Sequence, residues 1–169
     1  MRRHYTDKEI TELLKQMVIV CDTREQENGH VTGYLDKRKV AHMSRKLDTG
    51  DYSAMIGDMT LEHEVVVERK NSLDELASNM VDRIRIEDEF TRAKASGIKV
   101  FLLVENASWT DIFLQNYRSK YAVNSFIGTL LAWQIRYNIT VTFCKSTESG
   151  QIIYGILYYA AREALKKGE

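Results

Sequence analysis

Lys99-Val-Phe-Leu-Leu-Val-Glu105 carries the clearest secondary-structure signal in this chain of 169 residues. Five consecutive apolar residues between two charged ones are typical of a central β-strand that is covered on both faces. The sequence before it predicts a helix over Asp82–Ser96 that ends at Gly97. After it, Ser108 and Asp111 indicate the beginning of a short helix. Helix and strand therefore alternate around this stretch, which indicates an α/β protein.

The same alternation extends toward both ends of the chain. Short apolar runs predict further strands, which are Met17–Cys21, Ala41–Leu47, Tyr52–Ile56, Glu64–Glu68 and Ile139–Cys144. Helical spacing predicts further helices, which are one that follows Thr6, Ser72–Met80, Tyr121–Tyr137 and Gly150–Lys167. The polar stretch 23–40 is interpreted as a long loop with a short helix. Because several short strands cluster before residue 70, we predict a mixed β-sheet.

Local patterns predict where two helices begin and which faces of two others are buried. Thr6 with Glu9, and Ser72 with Glu75, have the spacing of a capping box. The helix over 121–137 has an apolar stripe formed by Val123, Phe126, Ile127, Leu130, Leu131 and Gln134. The last helix has a predicted core face formed by Ile152, Ile153, Ile156, Leu157, Ala160 and Ala164.

Composition indicates an ordinary globular chain, with 44% hydrophobic and 28% charged residues. Proline is absent and no Pro-, Gly- or Ser-rich linker is seen, so we predict one domain over residues 1–169. It would comprise an N-terminal helix over 1–16, a core over 17–144 and a C-terminal helix over 145–169. No apolar run approaches the roughly 18 residues of a membrane span, so no membrane association is expected.

Charge and cysteine content narrow the functional classes. The chain has 24 basic and 24 acidic side chains and a formal net charge of zero. This balance argues against a protein that depends on strong sequence-independent DNA affinity, but it allows an enzyme that gathers acidic residues at a metal ion. Cys21 and Cys144 lie in apolar runs without zinc-site spacing, so we predict that both are reduced core residues of a cytoplasmic protein.

Val65-Val-Val-Glu-Arg-Lys70 is the segment that indicates chemistry. Glu68 and Lys70 lie two residues apart on a predicted strand, so both project to the same face. Asp51 begins another predicted strand, and if the two strands pair, Asp51 and Glu68 can hold one Mg²⁺ or Mn²⁺. Lys70 would then assist the attacking water. The alternative is a solvated strand end with a surface ion pair, because a Glu-x-Lys pattern alone is common.

The residues around this segment resemble the signature of the XPF family of nucleases, in which GD is followed at a distance by ERK, three residues and D. Gly50-Asp51, Glu68-Arg69-Lys70 and Asp74 fill its positions. Asp22-Thr-Arg-Glu25 matches an acidic and basic motif that the family carries after its first strand. The resemblance extends over Met17–Cys144.

The resemblance implies a fold and an activity. The expected fold is a three-layer α/β/α restriction-endonuclease-like fold with a central mixed β-sheet. The expected activity is that of a DNA endonuclease that uses Mg²⁺ or Mn²⁺ to hydrolyse phosphodiester bonds. Its substrates would be flap, fork or junction DNA in repair, recombination or replication. The motif itself does not separate DNA from RNA.

The resemblance also implies roles for individual residues. Asp51 and Glu68 would ligate the metal, with Asp22 as a further acidic group near it, and Lys70 would assist the water. A second group would have supporting catalytic roles or contact phosphate, and it consists of Arg24, Glu25, Arg69, Asp74, Arg83 and Arg85. For Arg69, which should point to the opposite face from Lys70, the alternative is a role in supporting the fold. For Asp74 the alternative is a helix-start residue that the helix dipole favours. The sequence favours Arg83 over Arg85 as the family arginine, with Glu87 as its acidic partner, but leaves this choice open.

Two basic segments are candidate DNA contacts. The first precedes Gly50 and consists of Lys37, Arg38, Lys39, Arg45 and Lys46. The second is the loop 116–120, where Arg118 and Lys120 would contact phosphate and Tyr117 would stack on a splayed base. The alternative for the first segment is a solvated loop without a binding function.

The chain departs from many XPF-family proteins after Cys144, because the remaining residues suffice for one helix and not for a tandem helix-hairpin-helix domain. We therefore expect a homodimer through the last two helices, or a protein partner that supplies DNA affinity. The resemblance is to stand-alone enzymes of bacteria and phages, so the expected location is the cytoplasm of a bacterial or phage-infected cell. The competing hypotheses are a catalytically inactive scaffold and a DNA-binding or assembly module.

Overall fold

The structure is a computed structural model that describes residues 4–168, so residues 1–3 and 169 of the predicted domain lie outside it. The chain forms two compact units. Unit 1 comprises the residues up to Val66 together with those from Gly150 onward, and unit 2 comprises Val67–Ser149.

Unit 1 contains the N-terminal elements and most of the last helix. Its helices are α1 (Asp7–Leu14), α2 (Gly29–Lys37) and α7 (Ser149–Lys167), and its strands are β1 (Val18–Cys21), β2 (Ala41–Ser44), β3 (Tyr52–Ile56) and β4 (Met59–Thr60). β5 (Val65–Lys70) begins in this unit, where the hydroxyl of Ser53 donates to the carbonyl of Val65. β2 was predicted to extend to Leu47 but ends at Ser44, and β4 was not predicted.

Unit 2 contains the rest of β5 and the elements that follow it. Its helices are α3 (Leu73–Val81), α4 (Arg83–Ala95), α5 (Trp109–Phe113) and α6 (Val123–Tyr137), and its further strands are β6 (Lys99–Glu105) and β7 (Thr140–Cys144). β6 has the bounds that the sequence predicts. Its interior is buried, as expected for a central strand.

The strands form a mixed sheet in the order β2-β1-β3-β5-β6-β7, and β4 pairs with β3. β1 runs parallel to β2 and antiparallel to β3, whereas β6 and β7 are parallel. The predicted α/β class with a central mixed sheet is therefore confirmed. The strand order puts β5 in the interior of the sheet, which matters because β5 carries the candidate catalytic residues.

The predicted capping box of α1 is confirmed, and that of α3 is formed in part. Thr6 accepts the backbone N–H of Glu9, whose carboxylate accepts the N–H of Thr6, which completes a capping box. Ser72 likewise accepts the N–H of Glu75 at 3.2 Å. The carboxylate of Glu75, however, accepts the N–H of Asn71 at 2.8 Å, one residue earlier than a capping box requires.

The predicted buried faces of the last two helices need correction. In α6, Leu131 is 45% exposed, whereas Trp133, which was predicted to be a packing residue outside this stripe, is fully buried. In α7 the buried residues recur every fourth position, at Ile153, Leu157, Ala161 and Leu165. Ile152, Ile156, Ala160 and Ala164 are half-buried at its sides. Both predicted faces were based on apolar composition alone. They therefore include residues outside the face that is buried.

Gly150 lies where α7 approaches α2 within unit 1. A methyl group at this position would stand 2.5 Å from Cβ of Tyr34, closer than packed carbon atoms come. We expect Gly150→Ala to lower the free energy of unfolding by about 1–3 kcal/mol, as overpacking does. Gly155→Ala in the same helix has nothing within 4 Å and should raise it by about 0.5–1 kcal/mol. Urea denaturation compares the two variants, and equal effects would contradict the close approach.

Cys21 and Cys144 are buried free thiols, as predicted. Burial, together with the charge of Glu25, raises the pKa of Cys21 to about 11. Both thiols therefore have little thiolate character near neutral pH. Within residues 4–168, no helix is long and apolar enough to cross a membrane.

Candidate active site

The end of β5 brings an acid and a base together on one face of the strand. Lys70 Nζ lies 2.7 Å from Glu68 Oε1 and donates a hydrogen bond to it, and both side chains are almost completely buried. The pairing follows from the alternation of a strand, which turns residues two apart to the same side. Glu75 on α3 adds a second carboxylate, with Oε1 at 3.7 Å from Lys70 Nζ. Two buried charges thus compensate each other at a polar pocket.

This pocket has a volume of about 310 Å³. Its lining consists of Glu68, Lys70, Glu75, Ser78, Asn79, Asp82, Arg85, Ile86 and Glu89. Four carboxylates face two cationic side chains, so the pocket favours a positively charged ligand. Asn79 Oδ1 is buried and, within the described part of the chain, accepts no hydrogen bond. A ligand or water with a donor group can satisfy this oxygen.

The lining matches the ligand preference of a hard divalent cation, because Mg²⁺ and Mn²⁺ favour carboxylate oxygens. Among residues 4–168, no group of three or more His, Cys, Asp or Glu side chains is arranged to hold a metal ion. In proteins such ions take one or two carboxylates and complete their shell with water and substrate phosphate.

Arg69 projects to the opposite side of β5 from Glu68 and Lys70. Its guanidinium is buried and donates to Glu105 Oε2 at 3.0 Å. Glu105 Oε1 accepts the hydroxyl of Ser149 at 2.5 Å, and that hydroxyl lies 3.6 Å from Cys144 Sγ. The expected phosphate contact of Arg69 is therefore not supported, because the guanidinium is buried in an ion pair that joins β5 to β6.

Unit 1 positions Asp22 immediately after β1. Its buried carboxylate accepts the backbone N–H and Nε–H of Arg24 at 2.8 and 2.7 Å, Nη2–H of Arg24 at 3.2 Å and the N–H of Leu47 at 2.6 Å. The N–H of Asp22 donates to the carbonyl of Asp51 at 2.8 Å, just after Gly50, which has a positive φ of 74°. Asp22 therefore fixes the backbone that carries Asp51.

The carboxyl group of Asp22 has a lowered pKa. Burial acts to raise the pKa, but the hydrogen bonds from Arg24 and Leu47 and the charge of Arg24 outweigh it and hold the pKa below its ordinary value of 3.8. A group whose pKa is lower in the folded state stabilises the fold above the unfolded value. This contribution is lost as the pH falls through the folded value.

Asp22→Asn is expected to lower the free energy of unfolding at pH 7 by about 1–3 kcal/mol, since it removes a charged acceptor of four hydrogen bonds. The difference from wild type should shrink as the pH falls below 3.8, where the unfolded chain takes up the proton, and toward the lower pKa of the folded state, where the wild-type carboxyl group loses its charge. Urea denaturation at pH 7 and pH 3 measures both values, with the exposed Asp48→Asn as control. A difference that stays constant with pH would show that the charge is not responsible.

Arg24 and Glu25 complete the motif after β1. Arg24 is exposed, although its guanidinium also donates to the carbonyl of Leu47 at 3.1 Å. Glu25 is half-buried, and its N–H donates to the carbonyl of Asp22 at 3.0 Å. The motif thus forms a hydrogen-bonded turn in which Asp22 and Leu47 hold the guanidinium of Arg24, while 63% of the Arg24 side chain is exposed.

The first basic segment divides into residues with different surroundings. Lys37, Arg38 and Lys39 are exposed at the C-terminal end of α2, where positive charge is favourable for the helix dipole. Arg45 pairs with Glu62 at 3.1 Å, and Lys46 is exposed. The exposed residues of this segment can contact DNA. Lys37, Arg38 and Lys39 also stabilise the C-terminal end of α2 through the helix dipole.

Asp74 and the loop 116–120 are joined within unit 2. Asp74 accepts the N–H of Arg118 at 2.6 Å and its Nε–H at 3.1 Å, and these bonds lower the pKa of Asp74. The ring of Tyr117 lies against Phe126 at 5.0 Å, and its hydroxyl donates to the carbonyl of Tyr121. The Tyr117 ring thus packs against Phe126, and the stacking of a base on Tyr117 stays a prediction. Lys120 is exposed.

The structure separates the two arginines of α4. Arg85 lines the pocket with Glu68 and Lys70, whereas Arg83 is exposed at the beginning of the helix. Glu87, the predicted partner of Arg83, instead accepts Nε1–H of Trp133 at 2.8 Å. The structure therefore brings Arg85, and not Arg83, to the pocket, while the choice of the family arginine stays a prediction.

Several residues of the pocket were missed by sequence reasoning. They are Glu75, Ser78, Asn79, Asp82, Ile86 and Glu89. Their spacing of three and four residues along α3 and α4 is a signal that was available, because such residues share one helix face. What the sequence did not reveal is that this face turns toward the end of β5.

A mixed α/β fold with a carboxylate and a lysine side by side at the end of an interior strand is the arrangement of the PD-(D/E)xK class of enzymes. The family profile described as the ERCC4 domain matches residues 21–156. The chain therefore belongs to the ERCC4 domain family, the family of XPF-type nuclease domains. The predicted family is confirmed.

Comparison with solved structures shows the same fold in XPF from Aeropyrum pernix. One such structure is 23% identical with a TM-score of 0.66, and the match covers 87% of this chain and 63% of that chain. A second, XPF from Aeropyrum pernix in complex with DNA, is 21% identical with a TM-score of 0.64 and coverages of 86% and 66%. This chain thus spans just under two thirds of either one. Comparison with curated proteins gives no match.

Proposed function

We propose that the protein is a Mg²⁺- or Mn²⁺-dependent DNA endonuclease that hydrolyses phosphodiester bonds of flap, fork or junction DNA. The observation that carries this proposal is the buried pair of Glu68 and Lys70 at 2.7 Å, open to a carboxylate-rich pocket. The proposed setting is DNA repair, recombination or replication in the cytoplasm of a bacterial or phage-infected cell.

The proposal divides the chemistry among a few side chains. Glu68 and Asp51 would ligate the ion, and Asp22 would act by holding the Asp51 backbone in place. When bound, a divalent cation neutralises charge on the phosphate and makes water more acidic. Lys70 would orient the attacking water, and Arg85 would contact the phosphate from the pocket wall. The assignment of Asp51 rests on the family motif, whereas that of Glu68 and Lys70 rests also on their geometry.

Lys70→Ala is expected to reduce cleavage by about 10²-fold, because it removes the group that orients the water. Metal affinity, measured by titration calorimetry with Mn²⁺, should stay within about threefold of wild type, since the proposed ligands are retained. The exposed Lys15→Ala serves as a matched control that loses a lysine outside the pocket and outside the predicted DNA contacts. If Lys70→Ala lost metal binding as completely as Glu68→Gln does, the proposed division of roles would be overturned.

The proposed activity is tested with end-labelled single-stranded, duplex, flap, fork and four-way-junction DNA, and with RNA of the same sequence. Each substrate is incubated with wild type or Asp51→Asn, with Mg²⁺, Mn²⁺ or EDTA. Metal-dependent cleavage that vanishes in Asp51→Asn supports the endonuclease. Binding without cleavage of any substrate would indicate a scaffold or DNA-binding module, and cleavage of RNA alone would indicate a ribonuclease.

We also propose that the protein forms a homodimer through its last two helices. Each of these helices carries large apolar side chains at its surface, with Ile135 84% exposed on α6 and Tyr159 exposed on α7. Light scattering over a range of protein concentrations tests this proposal. A strictly monomeric protein would favour the alternative, a protein partner that supplies DNA affinity.

A further inference from the structure

The first turn of α3 contributes an acidic side chain, Glu75, to the pocket that contains Glu68 and Lys70. Ser72 is the N-cap of this helix and accepts the N–H of Glu75 at 3.2 Å. In a capping box the carboxylate of Glu75 would turn back to the N–H of Ser72. Here Oε2 of Glu75 instead accepts the N–H of Asn71 at 2.8 Å, directly after the end of β5. The carboxylate is therefore drawn toward the strand that carries Lys70.

The other oxygen of this carboxylate lies near the Lys70 ammonium. Glu75 Oε1 is 3.7 Å from Lys70 Nζ, and Glu68 Oε1 is 2.7 Å from the same atom. Because the Lys70 side chain is only 10% exposed, nearby carboxylates compensate its charge more than bulk water does. An ammonium has three N–H donors, so it can serve two carboxylates and a water together. One carboxylate belongs to β5 and the other to α3, so two elements of unit 2 define the position of the ammonium.

The acidic residue next to Glu75 has a different partner. Asp74 accepts the N–H of Arg118 at 2.6 Å and its Nε–H at 3.1 Å, so it faces the loop 116–120. Glu75 lines the pocket with Glu68. Negative charge in the first turn is favourable for the helix dipole at either position. The dipole alone therefore does not explain why the carboxylate of Glu75 lies beside Lys70.

We propose that Glu75 is a positioning residue, which together with Glu68 holds the Lys70 ammonium at the place from which Lys70 orients the attacking water. The lysine side chain is a flexible stem, so one partner on its own strand defines the position of its end less well than two partners on different elements. Glu75 lies outside the motif that defines the family, whose last position here is Asp74. The effect on cleavage rests on the proposed function, whereas the contact with Lys70 is measured without metal or DNA.

Glu75→Gln separates the charge of this side chain from its role in the helix. The amide oxygen can still accept the N–H of Asn71, and Gln serves as well as Glu at this position of a helix. The Lys70 ammonium loses its second carboxylate. We expect kcat for cleavage of a duplex with a single-stranded arm (an armed duplex) to fall about tenfold, with KM within about twofold of wild type. Glu9→Gln makes the same exchange in the capping box of α1 and should change neither value.

A double-mutant cycle tests whether Glu75 acts through Lys70. In the Lys70→Ala background the ammonium is missing, so Glu75→Gln should lower the rate by less than about twofold. A residue that acted on the fold or on the ion would lower the rate about equally in both backgrounds. A larger loss than twofold in the Lys70→Ala background would therefore overturn the positioning role.

Nuclear magnetic resonance of protein labelled with ¹⁵N-lysine measures the contact itself, without metal or DNA. The Lys70 ammonium signal is identified by its loss in Lys70→Ala. Its hydrogen exchange with water should be about fivefold faster in Glu75→Gln than in wild type, since one of the carboxylates that restrain it is removed. Glu9→Gln should match wild type. Equal exchange in wild type and Glu75→Gln would overturn the proposal, as would a wild-type ammonium that exchanges as fast as that of the exposed Lys46.

The two proposals fail in different ways. If wild type cleaves no substrate, the nuclease function is lost, and the exchange measurement alone decides whether Glu75 holds Lys70. If wild type cleaves and Glu75→Gln cleaves at the same rate, the positioning role is overturned and the nuclease function remains. Circular dichroism spectra and thermal unfolding that match wild type establish that Glu75→Gln and Glu9→Gln are folded.

Discussion

Glu68→Gln is expected to lower metal-dependent DNA cleavage on the order of 10³-fold. The substitution keeps the shape of the side chain but removes the charge that would ligate the ion. It also removes the anionic partner that accepts the Lys70 ammonium at 2.7 Å. Both consequences act on the same reaction, because Lys70 is proposed to orient the attacking water.

The measurement is the initial rate of cleavage of an end-labelled armed duplex in Mg²⁺ and in Mn²⁺. Glu64→Gln provides a matched control, because Glu64 is exposed and lies just before β5. Thermal unfolding should show that Glu68→Gln remains folded, since Glu75 still lies 3.7 Å from the Lys70 ammonium. Retention of more than about a tenth of the wild-type rate in a folded protein would refute the role of Glu68.

Arg69→Met is expected to lower the free energy of unfolding by about 3–5 kcal/mol, the cost of leaving one partner of a buried ion pair uncompensated. Glu105 would lose the guanidinium that lies 3.0 Å from its carboxylate and would keep the hydroxyl of Ser149. Without the guanidinium, the buried carboxyl group would take up a proton or draw water into the core.

The double variant Arg69→Met/Glu105→Leu separates charge from packing, because it removes both charges and fills similar volumes. We expect it to recover most of the stability that Arg69→Met loses. Urea denaturation of the two single variants and the double variant gives the coupling energy directly. A double variant as unstable as the sum of the single variants would mean that the ion pair contributes nothing beyond its separate side chains.

Local patterns in the sequence were sufficient for the elements and for the strand that carries the chemistry. The apolar run of β6 fixed its bounds, and Thr6 fixed the beginning of α1. The alternation of β5 predicted that Glu68 and Lys70 share a face. These features depend on neighbours within a few residues, where spacing alone determines geometry.

These local patterns do not predict which residues that are distant in sequence pair in the fold. Arg69 meets Glu105, 36 residues away, and Asp74 meets Arg118, 44 residues away. Nothing in the spacing of the sequence identifies these partners, since each depends on how the elements pack. For this reason the sequence left open whether Arg69 contacts phosphate or supports the fold, and the structure pairs it with Glu105 in the core. The sequence likewise did not indicate that Tyr117 lies against Phe126.

The position of β2 at the end of the strand order has a consequence for how the protein behaves at high concentration. An edge strand offers unpaired backbone groups to which a strand of another copy can add. β2 has only four residues, Ala41–Ser44, and is bordered by exposed Lys39 and Lys46. The chain as a whole has no net charge and a pI of about 6.9, so it has little overall repulsion near neutral pH. The short edge and its flanking lysines therefore protect against aggregation locally where net charge does not.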